Sequence, residues 1–320
     1  MATIDTIAAS LSGSAEKIRQ ELQLIAILGL SDILPFVTVR PGVRYKETVG
    51  TLSTPAELRD YTGEKNAVSG HKITARTLET FLGSCVMEFD PNELRKTIFG
   101  SGVASGAGTE KLDVNTVFLR DMMTRISGRL NRSIFSAVRE EGSATTAKLF
   151  NGFDTITTTD IAAGDIAVAK GNLVEFSAPI TRSNAVDALR EYYWGASAEL
   201  QGIATNMYVS REIYNNYLVD YQATVGAVPY NTEFKKLTLE GSGGLCTLAP
   251  VVSKTNSPYL HLSPTQNMQL GCYQLGDFEN IEVRRGDNPF LLQFICTMFF
   301  GTQMESIDAS LLKVGKLVTP

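Results

Sequence analysis

The amino-acid sequence predicts an α+β fold, and three observations support that fold class. One segment near position 120 carries apolar residues at regular four-residue steps, which is typical of a long amphipathic helix. Two shorter helical patterns, each preceded by a serine that can cap it, begin near positions 183 and 210. Strand-like runs lie around these helices and continue toward the C-terminus. Together these patterns predict a compact mixed domain beside a long helix and several strands.

The composition limits the classes of protein to consider. The chain has 320 residues, of which 43% are hydrophobic and 20% charged, so it can bury sizeable cores in one large or two ordinary domains. The net charge of −5 does not favour gripping DNA as the main task. The longest apolar run, Phe290–Phe300, has 11 residues, whereas a membrane-spanning helix needs about 20. No basic and apolar leader begins the chain. We therefore expect a soluble protein made in the cytoplasm, without membrane partners, in which that run is a strand buried on both faces.

Residues 1–32 are expected to form an N-terminal arm. Ser14 can cap a helix there, and Gly29 can end it. Between them lies an apolar stripe at helical spacing, formed by Ile18, Leu22, Ile25 and Leu28. Such an amphipathic helix requires a surface to pack on, which is either its own domain or a neighbouring molecule.

Residues 33–78 change in character and predict a long polar hairpin. Apolar and polar residues alternate from Val37 to Tyr45 and again from Ile73 to Thr77, which is typical of two strands. Between positions 40 and 79, 12 of the 40 residues are charged, and the tip at 51–70 is polar. A two-stranded hairpin with so little apolar surface is not stable alone. It must lie on its own core or on a neighbour, and a solvated loop is the alternative.

The long helix is predicted at about 113–139, with Asp113 as its N-cap. A helix of about 25 residues is about 37 Å long. Its four-residue apolar steps drift around the helix, so it should contact several partners. Five arginines occupy the remaining surface: Arg120, Arg125, Arg129, Arg132 and Arg139. They can meet DNA or pair with Asp121, Glu140 and Glu141, and we favour the pairing.

The other elements are predicted from the same two periodicities. Thr145–Gly171 is rich in Thr, Ala, Gly and Asp and is expected to form strands and loops on a surface. Ser183 and Ser210 are the expected N-caps of the two shorter helices. Strands are predicted at Phe81–Phe89, Ile203–Val209, Cys246–Ser253, Tyr259–Leu262, Met268–Tyr273, Ile281–Arg284 and Phe290–Phe300.

The sequence carries no pattern of residues that points to catalysis or metal binding. Its four cysteines, Cys85, Cys246, Cys272 and Cys296, form no CxxC pair, so they are expected to be small buried hydrophobes in a reducing compartment. His71 and His261 are the only histidines, and zinc requires clustered thiolates and imidazoles. No nucleophile elbow, metalloprotease helix or phosphate-binding loop occurs. We expect no catalytic site, no metal and no cofactor.

The order of these parts and two local stretches point to a known family. Ile73–Glu79 followed by Met87–Leu94 is similar to a hairpin arm that enters a helix-and-strand domain, and the run from Leu270 to Val314 is similar to that family's closing strands. On these grounds the chain resembles the major capsid proteins of tailed bacteriophages with the Hong Kong 97-like fold. The resemblance implies an N-terminal arm at 1–32, an E-loop at 33–78, a peripheral P-domain at 79–182 and 270–308 with a spine helix at about 113–139, and an axial A-domain at 183–269, with 309–320 returning to its edge.

The resemblance also implies a structural function. Subunits of this kind self-assemble into the pentamers and hexamers of an icosahedral shell that encloses the double-stranded DNA genome. It implies a virion protein assembled in the bacterial host cytoplasm, which binds no specific DNA sequence and has portal, scaffolding or decoration proteins as partners. Only about 30 residues precede the hairpin, so any scaffold is expected to be a separate protein. The alternatives are the shell protein of an encapsulin-type nanocompartment, and an α+β enzyme or binding protein.

Contacts between subunits are expected at basic residues of the hairpin and of a C-terminal strand. These residues are Arg40, Arg44, Lys46, Arg59, Lys65, Lys72, Arg76, Arg284 and Arg285. One member of the family joins a hairpin lysine to an asparagine of a neighbour. No pattern in this sequence identifies such an asparagine, so we expect no cross-link.

Overall fold

The computed structural model describes residues 30, 32–53, 72–90, 114–225, 238–272, 281–285, 288 and 291–318. The predicted N-terminal helix, residues 54–70 of the hairpin tip and Asp113 lie outside these residues. The strands are β1 (Thr38–Pro41), β2 (Lys46–Ser53), β3 (Lys72–Glu79), β4 (Phe81–Phe89), β5 (Leu173–Glu175), β6 (Thr205–Val209), β7 (Cys246–Pro250), β8 (Tyr259–Ser263), β9 (Met268–Cys272), β10 (Ile281–Arg285), β11 (Leu292–Met304) and β12 (Lys313–Lys316). The α-helices are α1 (Val114–Ser133), α2 (Phe153–Ala162), α3 (Ala185–Trp194), α4 (Ala198–Gln201) and α5 (Arg211–Val225). The predicted α+β fold class is confirmed.

The first sheet is built around the long strand β11. Its first nine residues pair antiparallel with β4, and its other edge pairs with β10 and then with β9, which in turn pairs parallel with β1. Helix α1 covers one face, where Leu119, Met122 and Met123 pack against Phe294 and Cys296. Burial alternates along the first half of β11. The expected strand is therefore confirmed, but its burial on both faces is wrong there, because α1 covers one side only.

The second sheet has the order β5-β12-β8-β6-β7. Helices α3 and α5 cover one face, with Leu189 and Tyr217 in a core of their own. The opposite face packs against a larger core. The first sheet and the end of α1 also contribute to this core, which includes Tyr208, Phe300 and Phe135. The C-terminal strand β12 lies between β5 and β8 in this sheet.

The predicted hairpin forms as an antiparallel pair of β2 and β3, in register from Lys46–Glu79 to Ser53–Lys72. Its ascending strand begins later than predicted, because β1 pairs with β9 instead. Tyr45, with φ of 64°, turns the chain between β1 and β2. At the hairpin base, β11 passes so close that a Cβ on Gly301 would lie 2.0 Å from the Glu79 carbonyl oxygen. Only glycine fits at this crossing.

Helix α1 ends at Ser133, six residues before the predicted end. In a longer helix, the carbonyls after Ser133 would accept hydrogen bonds from N–H groups four residues later. Several of these carbonyls instead accept from the start of α2. The Ile134, Phe135 and Ala137 carbonyls accept from the backbone N–H groups of residues 152–154 at the start of α2. The chain therefore leaves the helix there and pins α2 against its end.

Helix α2 corrects the expectation that Thr145–Gly171 forms only strands and loops. The hydroxyls of Thr157, Thr158 and Thr159 each donate to the carbonyl four residues earlier, so these polar residues are satisfied inside the helix. Phe153 and Thr157 are buried against the larger core. The threonine content suggested a surface segment, whereas its hydroxyls are accommodated by the helix itself.

The two predicted N-caps have different outcomes. Ser210 caps α5 as predicted, because its Oγ accepts from the Ile213 N–H at 3.2 Å. Ser183 does not cap α3, whose N-cap position is Asn184. A carboxylate from the neighbouring helix supplies the missing acceptor: Asp220 Oδ2 accepts from the Val186 N–H at 2.8 Å.

Candidate assembly surface

Arg76 anchors the base of the hairpin to the body of the subunit. Its guanidinium donates to Asp160 Oδ2 of α2 at 2.7 Å and to Gln303 Oε1 of β11 at 3.2 Å. Gln303 in turn donates to the Thr77 carbonyl at 2.8 Å. Burial raises the pKa of Asp160, although the Arg76 charge opposes the rise. Arg76, predicted as a contact between subunits, thus has an intrachain role.

The other predicted basic residues near the hairpin base are solvent-accessible. Arg40 pairs with Glu47 at 3.2 Å and Lys46 with Glu79 at 2.6 Å, and Arg44 is exposed. Exposed ion pairs of this kind contribute at most about 1 kcal/mol to stability. Arg40 and Lys46 could therefore leave these glutamates for acidic groups of a neighbouring molecule at low cost.

The remaining predicted contacts are divided between two places. Arg284 lies on β10, exposed, and donates to Gln293 at 3.3 Å. Gln293 precedes Gly301 by eight residues on β11, about 26 Å in a strand, so Arg284 is far from the hairpin base. Lys72 and Arg285 lie in β3 and β10, but their side chains are outside the described residues, as are Arg59 and Lys65.

Several apolar side chains lie on the face of the first sheet that is opposite α1, on either side of the polar pair Ser84 and Thr297. Leu82 and Val86 of β4 lie across from Phe299 and Ile295 of β11, and the Tyr45 ring packs edge-on against Phe299 at 5.1 Å. Tyr45 is 63% exposed, Leu82 51% and Val86 58%. We call these five residues the outer patch. The patch could not be predicted from the sequence. Strand β4 carries apolar residues on both of its faces, so the sequence does not show which face packs on the core.

The arginines predicted on the long helix make contacts of different kinds. Arg125 pairs with Asp121 at 2.7 Å, as favoured from the sequence. Glu140 forms an ion pair with Lys148 instead of with an arginine. Arg139 leaves the helix, stacks on the Phe81 ring at 4.3 Å and donates to a backbone carbonyl at 3.3 Å. The expected pairing is confirmed for Arg125 and wrong for Glu140.

A buried network of charged and polar groups joins α2 to the second sheet. Lys254 Nζ donates to Asp154 Oδ1 at 2.8 Å, to the Tyr259 carbonyl at 2.8 Å and to His261 Nδ1 at 2.7 Å. An ammonium has three donors, so all of them are used. The Phe135 ring lies 4.5 Å from the same nitrogen. The network satisfies its cation completely and acts as a pin between the two layers.

The tautomer of His261 follows from its neighbours. Thr157 Oγ1 already donates to the Phe153 carbonyl at 2.8 Å, so it accepts from His261 Nε2, which lies 2.8 Å away. Nδ1 is then free to accept from Lys254. Burial lowers the pKa of His261 well below its ordinary value, and the Lys254 charge lowers it further. His261 is therefore a neutral member of the pin.

Within the part of the chain that the structure describes, no group of three or more His, Cys, Asp or Glu residues could hold a metal ion. Over the same residues, no helix has the length and apolar character needed to cross a membrane. Neither a family model nor a curated protein matches the sequence. Solved structures, by contrast, do match it in fold.

Three solved capsid structures match nearly the whole chain. The satellite phage P4 procapsid matches with a TM-score of 0.60 and 11% identity, over 93% of this chain and 90% of that one. The capsid of the empty GTA particle matches with a TM-score of 0.57 and 11% identity, over 91% and 90%. The cyanophage A-1(L) capsid matches with a TM-score of 0.54 and 14% identity, over 92% and 93%. The chain has the phage capsid fold.

The likeness to these capsids is a likeness of fold. At 11–14% identity, the shared features are element order and topology and not particular side chains. The anchored hairpin, the outer patch and the buried pin are therefore described from this chain's own residues. In this capsid fold the hairpin base and the outer patch adjoin each other, because Tyr45 precedes β2 and contacts Phe299 of β11.

Proposed function

We propose that this chain is the major capsid protein of a tailed bacteriophage, and that its subunits form the pentamers and hexamers of an icosahedral shell around a double-stranded DNA genome. The observation that carries the proposal is the match to capsid subunits over nine-tenths or more of both chains. Because a fold can serve several functions, the surface of this chain provides separate support.

That support comes from the outer patch and the hairpin. Soluble monomers rarely expose contiguous apolar surface unless it is used for binding. Tyr45, just before β2, and Leu82 and Val86 of β4 are all more than half exposed. A second subunit that covers them buries apolar area, and each subunit of a closed shell makes several such contacts. Many modest contacts then stabilise the particle collectively.

The proposal assigns parts of the chain to roles in the shell. Residues 1–32 are the arm and 33–78 the E-loop, which lies over an adjacent subunit. Residues 79–182 and 270–308 form the peripheral domain, and 183–269 the axial domain. The exposed residues Arg40, Arg44, Lys46 and Arg284 would contact neighbours, and so would Arg59, Lys65, Lys72 and Arg285. Arg76 is a less suitable contact, because its guanidinium is bonded within the chain.

The proposed protein is structural and not an enzyme, and it needs no cofactor. It would assemble in the bacterial host cytoplasm and become part of the virion, together with a portal protein and scaffolding or decoration proteins of the same phage. The shell would enclose DNA without reading its sequence.

The test is the size and content of the purified material. We expect electron microscopy and light scattering to find a discrete particle hundreds of ångströms across, formed with the phage's own scaffold where one is needed. A 34.8 kDa monomer that never assembles in its presence would overturn the proposal. Particles from infected cells that hold protein cargo and no DNA would instead favour the nanocompartment.

A further inference from the structure

Two of the thiols lie directly opposite each other across an antiparallel strand pair. Cys85 of β4 is the register partner of Cys296 of β11. Residues opposed in this way have Cα atoms about 4.5 or 5.5 Å apart, and disulfide-bonded cysteines span about 4.4 to 6.8 Å. Both are free thiols in this structure. The backbone therefore already holds the two residues within the span of a disulfide.

The two thiols differ in their access to solvent. Cys296 is buried in the core under α1, and Cys85 packs against that core from a less buried position. Burial raises the pKa of Cys296 to about 12, and the neighbouring Cys85 adds to the rise. Both residues line one open cleft of about 540 Å³ between β4, α1 and the segment at 142–149. A small reagent can thus reach Cys85 first, with Cys296 directly behind it.

We propose that Cys85 and Cys296 form a redox-closing pair, which a small soluble disulfide such as oxidised glutathione converts into an intrachain disulfide. The Cys85 thiolate attacks one sulfur of the oxidant, whose other sulfur leaves as a thiolate and takes up a proton. Cys296 then loses its proton to water, and its sulfur attacks the Cys85 sulfur, which releases the second glutathione as a thiol. The protein loses two hydrogens, and the oxidant's S–S bond is reduced to two thiols.

The other cysteines lack an opposed thiol. Cys272 faces Phe300 and Pro41, and Cys246 faces Thr205. Among the described strands, β4 pairs only with β11, and it follows the hairpin after one residue. A bond from Cys85 to Cys296 would therefore fasten the edge strand that carries both the hairpin and part of the outer patch.

The use of this bond rests on the proposed function. Subunits made in a reducing cytoplasm would assemble as thiols, and the bond would close once the particle reaches an oxidising medium. Because the bond lies within one chain, it would stiffen each subunit without changing the number of subunits joined.

The test uses the purified full-length protein, treated with oxidised glutathione near pH 8 and digested without reduction. We expect mass spectrometry to find the peptides of Cys85 and Cys296 joined in the wild type. We also expect the unfolding midpoint of the oxidised protein to rise by about 5 °C over the reduced one. Cys85→Ser and Cys296→Ser should lose the rise, whereas Cys272→Ser, which removes an unopposed buried thiol, should keep it.

Two results would overturn the pair. One is Cys85 left as a stable mixed disulfide with glutathione; the other is a bond that joins two chains through Cys85. Both are read on the wild type, so they do not depend on whether a variant folds. Peptide mapping is also independent of particle formation. Failure to close the bond leaves the capsid proposal standing, and a closed bond in a protein that never assembles overturns the capsid proposal alone.

Discussion

His261 makes the stability of the subunit depend on pH at the scale of one residue. Burial lowers its pKa in the folded state, whereas the unfolded chain titrates near the ordinary value of 6.5. Below that pH the unfolded chain binds a proton that the folded chain does not. The free energy of unfolding therefore decreases as pH falls. The loss from this group should steepen as pH falls below 6.5, toward a limit of about 1.4 kcal/mol per pH unit while the folded-state imidazole stays neutral.

Denaturant unfolding at pH 5 and 7 measures this dependence. His261→Gln keeps an acceptor for Lys254 but has no proton to gain, so its stability should change less between the two pH values. His71 and all carboxyl groups are present in both proteins, and their contributions cancel in the difference. Equal pH dependence in the two proteins would show that His261 is not the titrating group.

The two buried lysines predict different consequences for the same substitution. Lys254→Met leaves the buried Asp154 carboxylate without its cation, which should cost about 3 to 5 kcal/mol. Lys313 has no carboxylate partner in the described part of the chain. It donates to the Tyr192 carbonyl at 2.9 Å, and burial lowers its pKa to about 8. Lys313→Met should change stability at pH 7 by about 1 kcal/mol or less. Similar losses in the two variants would contradict the pin assigned to Lys254.

At the scale of elements, the hairpin tip can be separated from the hairpin base. Ser53 and Lys72 are paired at the end of the described ladder. Replacing residues 54–71 by Asn-Gly joins them through a two-residue turn that suits a hairpin. The base should keep its anchor at Arg76, so the midpoint of unfolding should stay within a few degrees of wild type. We expect these subunits to fold and to form no stable shells, as judged by electron microscopy.

The control for that deletion keeps the length of the tip. A shuffled sequence of the same composition at 54–71 preserves the loop but changes its contacts. Normal shells from the protein with the deletion would show that the tip is not needed for assembly. Normal shells from the shuffled protein alone would mean that length and charge suffice.

The sequence predicted the elements whose apolar period is regular. Strand β10 and helices α1 and α5 begin where the spacing put them, because one face of each is consistently apolar, whereas β4 was placed by its overall apolar content. Helix α2 was missed because threonine has a low helix propensity, and its hydroxyl bonds depend on the finished helix. The end of α1 was missed because carbonyls bonded by α2 stop it, and no local sequence records that contact. The charged residues at the hairpin base were predicted, but the burial of Arg76 depends on Gln303, more than 200 residues away.

At the scale of the whole molecule, the outer patch provides the sharpest test of the capsid proposal. Val86 is 58% exposed on the patch, and Val168 is 63% exposed in the turn before β5. Substitutions at such exposed sites usually change stability by about 0.5 kcal/mol or less. Lysine at either position should therefore leave the fold intact. If subunits cover the patch, Val86→Lys places a charge in an apolar interface and blocks assembly, whereas Val168→Lys does not.

Light scattering and negative-stain microscopy under assembly conditions separate the outcomes. We expect particles from the wild type and from Val168→Lys, and folded but unassembled subunits from Val86→Lys. Circular dichroism of each variant establishes that the subunits are folded. Normal particles from Val86→Lys would mean that the patch faces solvent in the shell. Contacts between subunits would then lie elsewhere, and the hairpin with its exposed basic residues Arg40, Arg44 and Lys46 would be the next surface to test.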